Sequence, residues 1–104
     1  MIIEERTYTI QVGKVNAYRD YYQEHALEVQ KRILGNLLGF FTSDLGELNQ
    51  VIQLWGYDSY AERERRRAIL ATDPDWLAYL RTSPQVILRQ ESRVLLPASF
   101  SPIA

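Results

Sequence analysis

The sequence predicts an α+β fold in the order β-α-β-β-α-β, on three observations. Apolar residues recur every second position up to Val12 and then at helical spacing from Val15. Two short apolar runs flank the turn-rich segment DLGELN, and a capped helical pattern begins at Ser59. With 104 residues, the chain is expected to form one domain over 1–104, because a second core could not be filled at this size.

The first strand is read from Ile2 to Val12, where Thr, Tyr and Ile occupy strand-favouring positions and Gly13 ends the run. Strand parity puts Ile2, Tyr8 and Ile10 on one face. Val15, Tyr18, Tyr22, Ala26, Val29 and Ile33 then form one stripe, which predicts a single long helix closing near Gly35. LLGFFT (37–42) and VIQLWGY (51–57) read as two strands joined by a hairpin loop of about five or six residues.

Ser59 and Glu62 form an S-x-x-E capping box that opens a helix running to about Ala71. Asp73-Pro74-Asp75 restarts a short helix that carries Trp76, Leu77 and Leu80 inward, and Ser83-Pro84 stops it. The last strand is read over Val86 to Leu96, before the tail PASFSPIA.

This order is the ferredoxin-like split pattern, with one four-stranded antiparallel sheet and its helices on one face. Either parity of LLGFFT and VIQLWGY leaves aromatic or aliphatic residues on the other face. That face therefore calls for a partner sheet, most simply from a second copy, and a homodimer is expected.

Composition narrows the function. Twelve basic residues against thirteen acidic give no global field to gather nucleic-acid phosphates, so no nucleic-acid partner is expected. The absence of cysteine removes disulfides, thiolate metal sites and cysteine nucleophiles, and suits a reducing compartment. MIIEERTYT lacks the basic and apolar regions of a signal peptide, and no apolar run reaches the roughly 18 residues of a membrane span. The expectation is a cytoplasmic protein with no membrane partner, no metal and no cofactor.

Several segments together resemble the NIPSNAP family: Arg6-Thr7-Tyr8 with Gly13-Lys14, Gly35-Asn36-Leu37-Leu38-Gly39-Phe40-Phe41-Thr42, Gly46-Glu47-Leu48-Asn49-Gln50-Val51, Leu54-Trp55-Gly56-Tyr57, and Asp58-Ser59-Tyr60-Ala61-Glu62-Arg63. They cover roughly residues 3–80 in order. The resemblance implies the dimeric α+β barrel superfamily. That superfamily includes cofactor-independent monooxygenases, lactone isomerases, haem-degrading enzymes and stress-response proteins that use a cavity between sheet and helices. Many NIPSNAP relatives carry a histidine immediately before the Leu-Trp pair, where this chain has Gln53. Animal members are associated with mitochondria and with vesicle or autophagy biology, and carry extra N-terminal sequence. A homodimeric small-ligand-binding or stress-associated domain follows as the first functional expectation. A cofactor-independent monooxygenase or isomerase for a small aromatic or acidic substrate is the second, and a pure assembly module the third.

His25 is the only histidine, and so the only side chain whose ordinary pKa lies near neutrality, which makes it a candidate general base. A haem ligand at His25 would need an open apolar pocket. The structural alternative is a hydrogen-bonded residue at the rim of a helix face. Tyr8 and Tyr57 are candidate catalytic phenols. With Tyr18, Asn49, Gln53, Trp55 and Arg6 they are expected to line a small-molecule pocket, because buried hydroxyls and amides need partners. In the helix after Ser59, a wheel puts Tyr60, Ala61, Ala68, Leu70 and Ala71 toward the core, with Arg63 and Arg67 flanking Glu64. Glu62 is expected to pair with Arg66 and Glu64 with Arg67, while Arg65 and Arg66 face outward. The structural reading is ordinary helix-face pairing. The functional one has Arg63 or Arg67 holding a carboxylate or enolate through two parallel hydrogen bonds. Glu4-Glu5 and Glu24-Glu28 read as surface carboxylates.

Overall fold

The computed structural model describes residues 1–103. Four strands, β1 (Ile2–Ile10), β2 (Asn36–Thr42), β3 (Gln50–Tyr57) and β4 (Ile87–Leu95), form one antiparallel sheet in the order β2-β3-β1-β4. Four helices complete the chain: α1 (Val15–His25), α2 (Leu27–Leu34), α3 (Tyr60–Thr72) and α4 (Pro74–Thr82). The ferredoxin-like α+β order is therefore present, with each helical crossover split into two pieces.

Register fixes which side chains meet under the helices. Glu4 lies opposite Trp55, Arg6 opposite Gln53 and Tyr8 opposite Val51. On the other side of β1, Arg6 lies opposite Ser92 and Tyr8 opposite Gln90. Trp55 and Val51 are fully buried, and Tyr57, Ile10 and Leu70 nearly so. Removing five apolar side chains of this size from water stabilises the fold by roughly 1.5–3 kcal/mol each.

The single long helix predicted up to Gly35 breaks at Ala26, whose φ of −122° leaves the helical range. The break turns Val29, Gln30 and Leu34 toward the sheet. The Tyr22 hydroxyl donates to Gln30 Oε1 across it in a short contact. Gly35 then ends α2 at φ +93°, a left-handed conformation that favours glycine.

Other boundaries shift modestly. β1 stops at Ile10 and β4 runs from Ile87 to Leu95, while the hairpin loop spans the seven residues 43–49. Ser59 caps α3 by accepting from the Glu62 N–H at 3.1 Å, and the Asp73 carboxylate accepts from Asp75 and Trp76 N–H at 2.9 and 3.0 Å.

Two helix faces differ from the wheel. In α3 Leu70 is buried and Arg63 and Arg67 turn partly inward as their flanking positions allow, but Tyr60, Ala61, Ala68 and Ala71 are exposed and Arg66, read as outward, is half-buried. In α4 it is Tyr79 that is buried, beside half-buried Trp76, with Leu77 and Leu80 exposed. An apolar count sets a helix face correctly only over an apolar floor, and the floor under α3 carries a charge.

Candidate functional site

That charge is Glu4. Strand parity places it on the helix face with Ile2, Tyr8 and Ile10, and its side chain is 0% exposed, so the surface reading of Glu4 is corrected. A buried carboxylate survives only if its lone pairs are met. Arg63, from the second turn of α3, grips it with two parallel bonds, Nε to Oε1 at 3.1 Å and Nη2 to Oε2 at 2.9 Å. Arg6 Nη1 donates to Oε2 at 3.0 Å, and the Ser92 hydroxyl of β4 donates to the same oxygen at 2.5 Å. Arg6 is positioned in turn by its Nε, which donates to the Tyr8 hydroxyl at 3.0 Å.

Burial by itself would raise the Glu4 pKa. The hydrogen bonds from Arg63 and Ser92, with the charges of Arg6 and Arg63, outweigh burial and lower it to about 2. Glu4 is thus a fixed anion at neutral pH. Burial also raises the Tyr57 hydroxyl and the charge of Glu4 adds to the rise, against the opposing influence of Arg67 and Arg63. Tyr57 stays a neutral donor.

Two buried polar atoms in this region have no hydrogen-bond partner among the described residues: the Tyr57 hydroxyl and Arg67 Nη1. They lie beside one another, close enough for Arg67 to act on the phenol both by its charge and as a hydrogen-bond donor, although the contact falls short of strict hydrogen-bond geometry. Arg67 forms no ion pair with any carboxylate of the described residues, and the expected Glu64–Arg67 pair does not form. Glu62 instead takes both Arg65 and Arg66, at 2.6 and 2.8 Å, and Arg66 Nη1 also caps the Ile33 carbonyl at 3.1 Å.

The fold therefore brings together Arg6, Tyr8, Tyr57, Arg63 and Arg67, all candidates from the sequence, around two residues the sequence reading missed, Glu4 and Ser92. Gln53 and Trp55 lie in the adjoining row, where Trp55 Nε1 donates to Gln53 Oε1 at 2.9 Å. Tyr18 is buried edge-on to Tyr8, with ring centres 6.4 Å apart. Asn49 stands at the end of the hairpin loop, where its carbonyl accepts from Ile10 N–H. His25 is not brought to the cluster. It packs on Tyr21 at 4.2 Å between ring centres, with its side chain 44% exposed. There it lines a surface cleft of about 870 Å³ between the α1–α2 segment and α4, with Glu24, Lys31, Asp75 and Tyr79. The buried charge of Glu4 lies away from this cleft. No cluster of three or more metal-ligating side chains occurs among the described residues, and no described helix is long and apolar enough to cross a membrane.

Comparison with known proteins settles the lineage. The NIPSNAP family model matches residues 3–102. The chain belongs to the NIPSNAP family. A solved NIPSNAP family protein from Agrobacterium tumefaciens is 44% identical, with coverage of 99% of this chain and 98% of that one, and superposes with a TM-score of 0.95. A NIPSNAP-like domain protein from Burkholderia xenovorans, described as uncharacterized, is 40% identical over 97% of this chain and 88% of that one, with a TM-score of 0.93. Among curated relatives, human NipSnap homolog 3B is 37% identical over 64% of this chain, and the Dictyostelium discoideum homolog 28% over 93%. This NIPSNAP chain spans 27% and 43% of those two relatives' lengths. A putative antibiotic biosynthesis monooxygenase from Nitrosomonas europaea shares the fold at a TM-score of 0.66 and 9% identity, over 93% of this chain and 98% of that one, which speaks to architecture alone.

Proposed function

We propose that this NIPSNAP domain is a homodimer that binds a small organic molecule on the helix side of each sheet, at the cluster around Glu4. The observation that carries the reading is the cluster's composition. Charged groups under the helices cost stability where apolar ones would contribute it, so a polar cluster of this size supports a role beyond packing. It also has a way in. Ser92 is exposed although its hydroxyl bonds Glu4, and the side chains of Arg6 and Arg63 keep 15% and 26% of their surface in contact with solvent.

The dimer part rests on the face away from the helices. Half-buried Ile52, Leu54 and Leu95 lie on that face around Ile3, which is already buried in the single chain, with Phe41 51% exposed beside them. An ion pair between Arg93 and Glu5 at 2.7 Å flanks the patch. A flat face that combines apolar residues with both signs of charge suits a second copy of itself.

A second reading, a cofactor-independent monooxygenase or isomerase, draws support from the unpartnered Tyr57 hydroxyl next to Arg63 and Glu4. It needs a base, and Glu4 at a pKa of about 2 is a poor one because four donor groups already stabilise its anion. His25 lies outside the cluster. Ligand binding therefore leads.

The test is a thermal-shift screen of the purified protein against aromatic acids, quinols and haem, with turnover assays on every binder. Stabilisation by one class without turnover fits the binding reading. Turnover would promote the enzyme, and no stabilisation by any class would remove both.

A further inference from the structure

Within that ligand-binding reading, on which the following rests, donors outnumber acceptors. Arg6, Arg63 and Arg67 bring three positive charges to the region, and Glu4 is the carboxylate that meets them. Arg6 uses Nε on Tyr8 and Nη1 on Glu4, and Arg63 uses Nε and Nη2 on Glu4. Arg6 Nη2 and Arg63 Nη1 make no hydrogen bond to the described residues and stand at the solvent-accessible edge, while the Tyr57 hydroxyl and Arg67 Nη1 are buried without a partner. Arg63 stands in the middle of this set, near both Tyr57 and Arg6.

An arginine cluster that kept only its own internal partner would leave two positive charges without a paired carboxylate at a half-buried place. The other charged neighbours do not close the gap, since Glu62 is committed to Arg65 and Arg66 and Glu5 to Arg93. What is missing is an anion with at least two acceptor atoms. A guanidinium matches a planar carboxylate through two parallel bonds, as Arg63 already shows on Glu4.

We infer that the ligand is a small carboxylic acid in its ionised form, received by the free N–H groups of Arg6, Arg63 and Arg67 and by the Tyr57 hydroxyl. Glu4 is the positioning residue: it pins Arg6 and Arg63 so that their remaining N–H groups stand ready without reorganisation. Arg67, with no acid of its own, turns from beside Tyr57 to complete the contact.

The experiment is calorimetric titration of the intact protein with benzoate and phenylacetate against benzamide and benzyl alcohol, which keep the ring and lose the charge, and against inorganic phosphate. The acids should bind at least about tenfold more tightly than the neutral pair, because bonds to a charged acceptor are the strong ones. Arg67→Gln and Tyr57→Phe should each weaken acid binding about tenfold while leaving thermal unfolding close to that of the parent. Neither substitution touches the Glu4 clamp. Arg65→Gln, on the exposed side of α3, should leave binding unchanged.

Neutral analogues binding as tightly as the acids would overturn the carboxylate assignment and leave the ligand-binding reading intact. Phosphate binding more tightly than either acid would overturn it in favour of a tetrahedral oxyanion. Binding of none of these probes, with none of the thermal-shift classes stabilising either, would remove both readings.

Discussion

At the scale of single residues, Glu4 organises the domain. Its folded pKa of about 2 lies below the ordinary value of 4.5, so its contribution is full above the ordinary carboxylate range and fades as pH falls toward 2. The shift corresponds to about 3 kcal/mol at neutral pH. Glu4→Gln should therefore destabilise by about that amount at pH 7, and the gap between parent and variant should close as urea unfolding is repeated toward pH 2. A pH-independent gap would mean that Glu4 acts by shape and not by charge. The burial of Glu4 was open to sequence reasoning, since it shares parity with Ile2, Tyr8 and Ile10, yet a carboxylate beside another carboxylate reads as surface until its cations are found. Those cations come from positions 2 and 59 residues away, and only the second separation is invisible to local pattern. Arg6, Arg63 and Arg67 were legible as candidates because arginine is the natural partner of a carboxylate. His25 was singled out by its chemistry alone, and chemistry carries no information about where a helix face will point.

At the scale of elements, side-chain-to-backbone caps and the buried stripe from Val15 to Ile33 could be read, and the faces of α3 and α4 could not. Ser59 and Asp73 act over offsets of two or three residues, so their roles follow from spacing. Asp73→Ala should cost about 1 kcal/mol in thermal or urea unfolding. The orientation of α3 follows from what lies beneath it, and a wheel drawn without Glu4 turned Arg66 outward and Tyr60, Ala61 and Ala68 inward. The break at Ala26 escaped because the stripe from Val15 to Ile33 is continuous as a pattern and stays buried on both sides of the break. Gly35 links both crossovers. Its φ is +93°, and a Cβ there would come within 2.6 Å of Arg66 Nη1, which caps α2. Gly35→Ala should destabilise by about 1–2 kcal/mol, and hydrogen exchange should show faster opening at the end of α2. Unchanged protection there would show that Arg66 gives way without cost.

At the scale of the whole molecule, strand order and antiparallel pairing followed from the chain's alternation of periods, which is why the fold was the most legible level. The apolar outer face was legible too, because it needs only parity. What covers it is a property of a surface meeting another surface. Ile52 pairs with Phe41 and Thr7 across the middle of that face and is half-buried in the single chain, so Ile52→Asp should leave the fold intact and shift sedimentation from dimer to monomer at micromolar concentration. A monomeric parent under the same conditions would remove the proposed dimer.

The contact between Ser92 and Glu4 joins positions 88 apart in sequence, and it carries a lesson about time as well as position. β1 is made first, yet it is an inner strand that needs both β3 and β4 beside it. During synthesis the carboxylate and its arginines can meet early, but the last donor and the strand that shields β1 arrive only with β4. Such distant pairing slows folding. A nascent chain of this kind waits for β4 before its interior charge is fully bonded, so a ribosome-held chain ending before Ile87 should remain protease-sensitive where one that includes β4 resists.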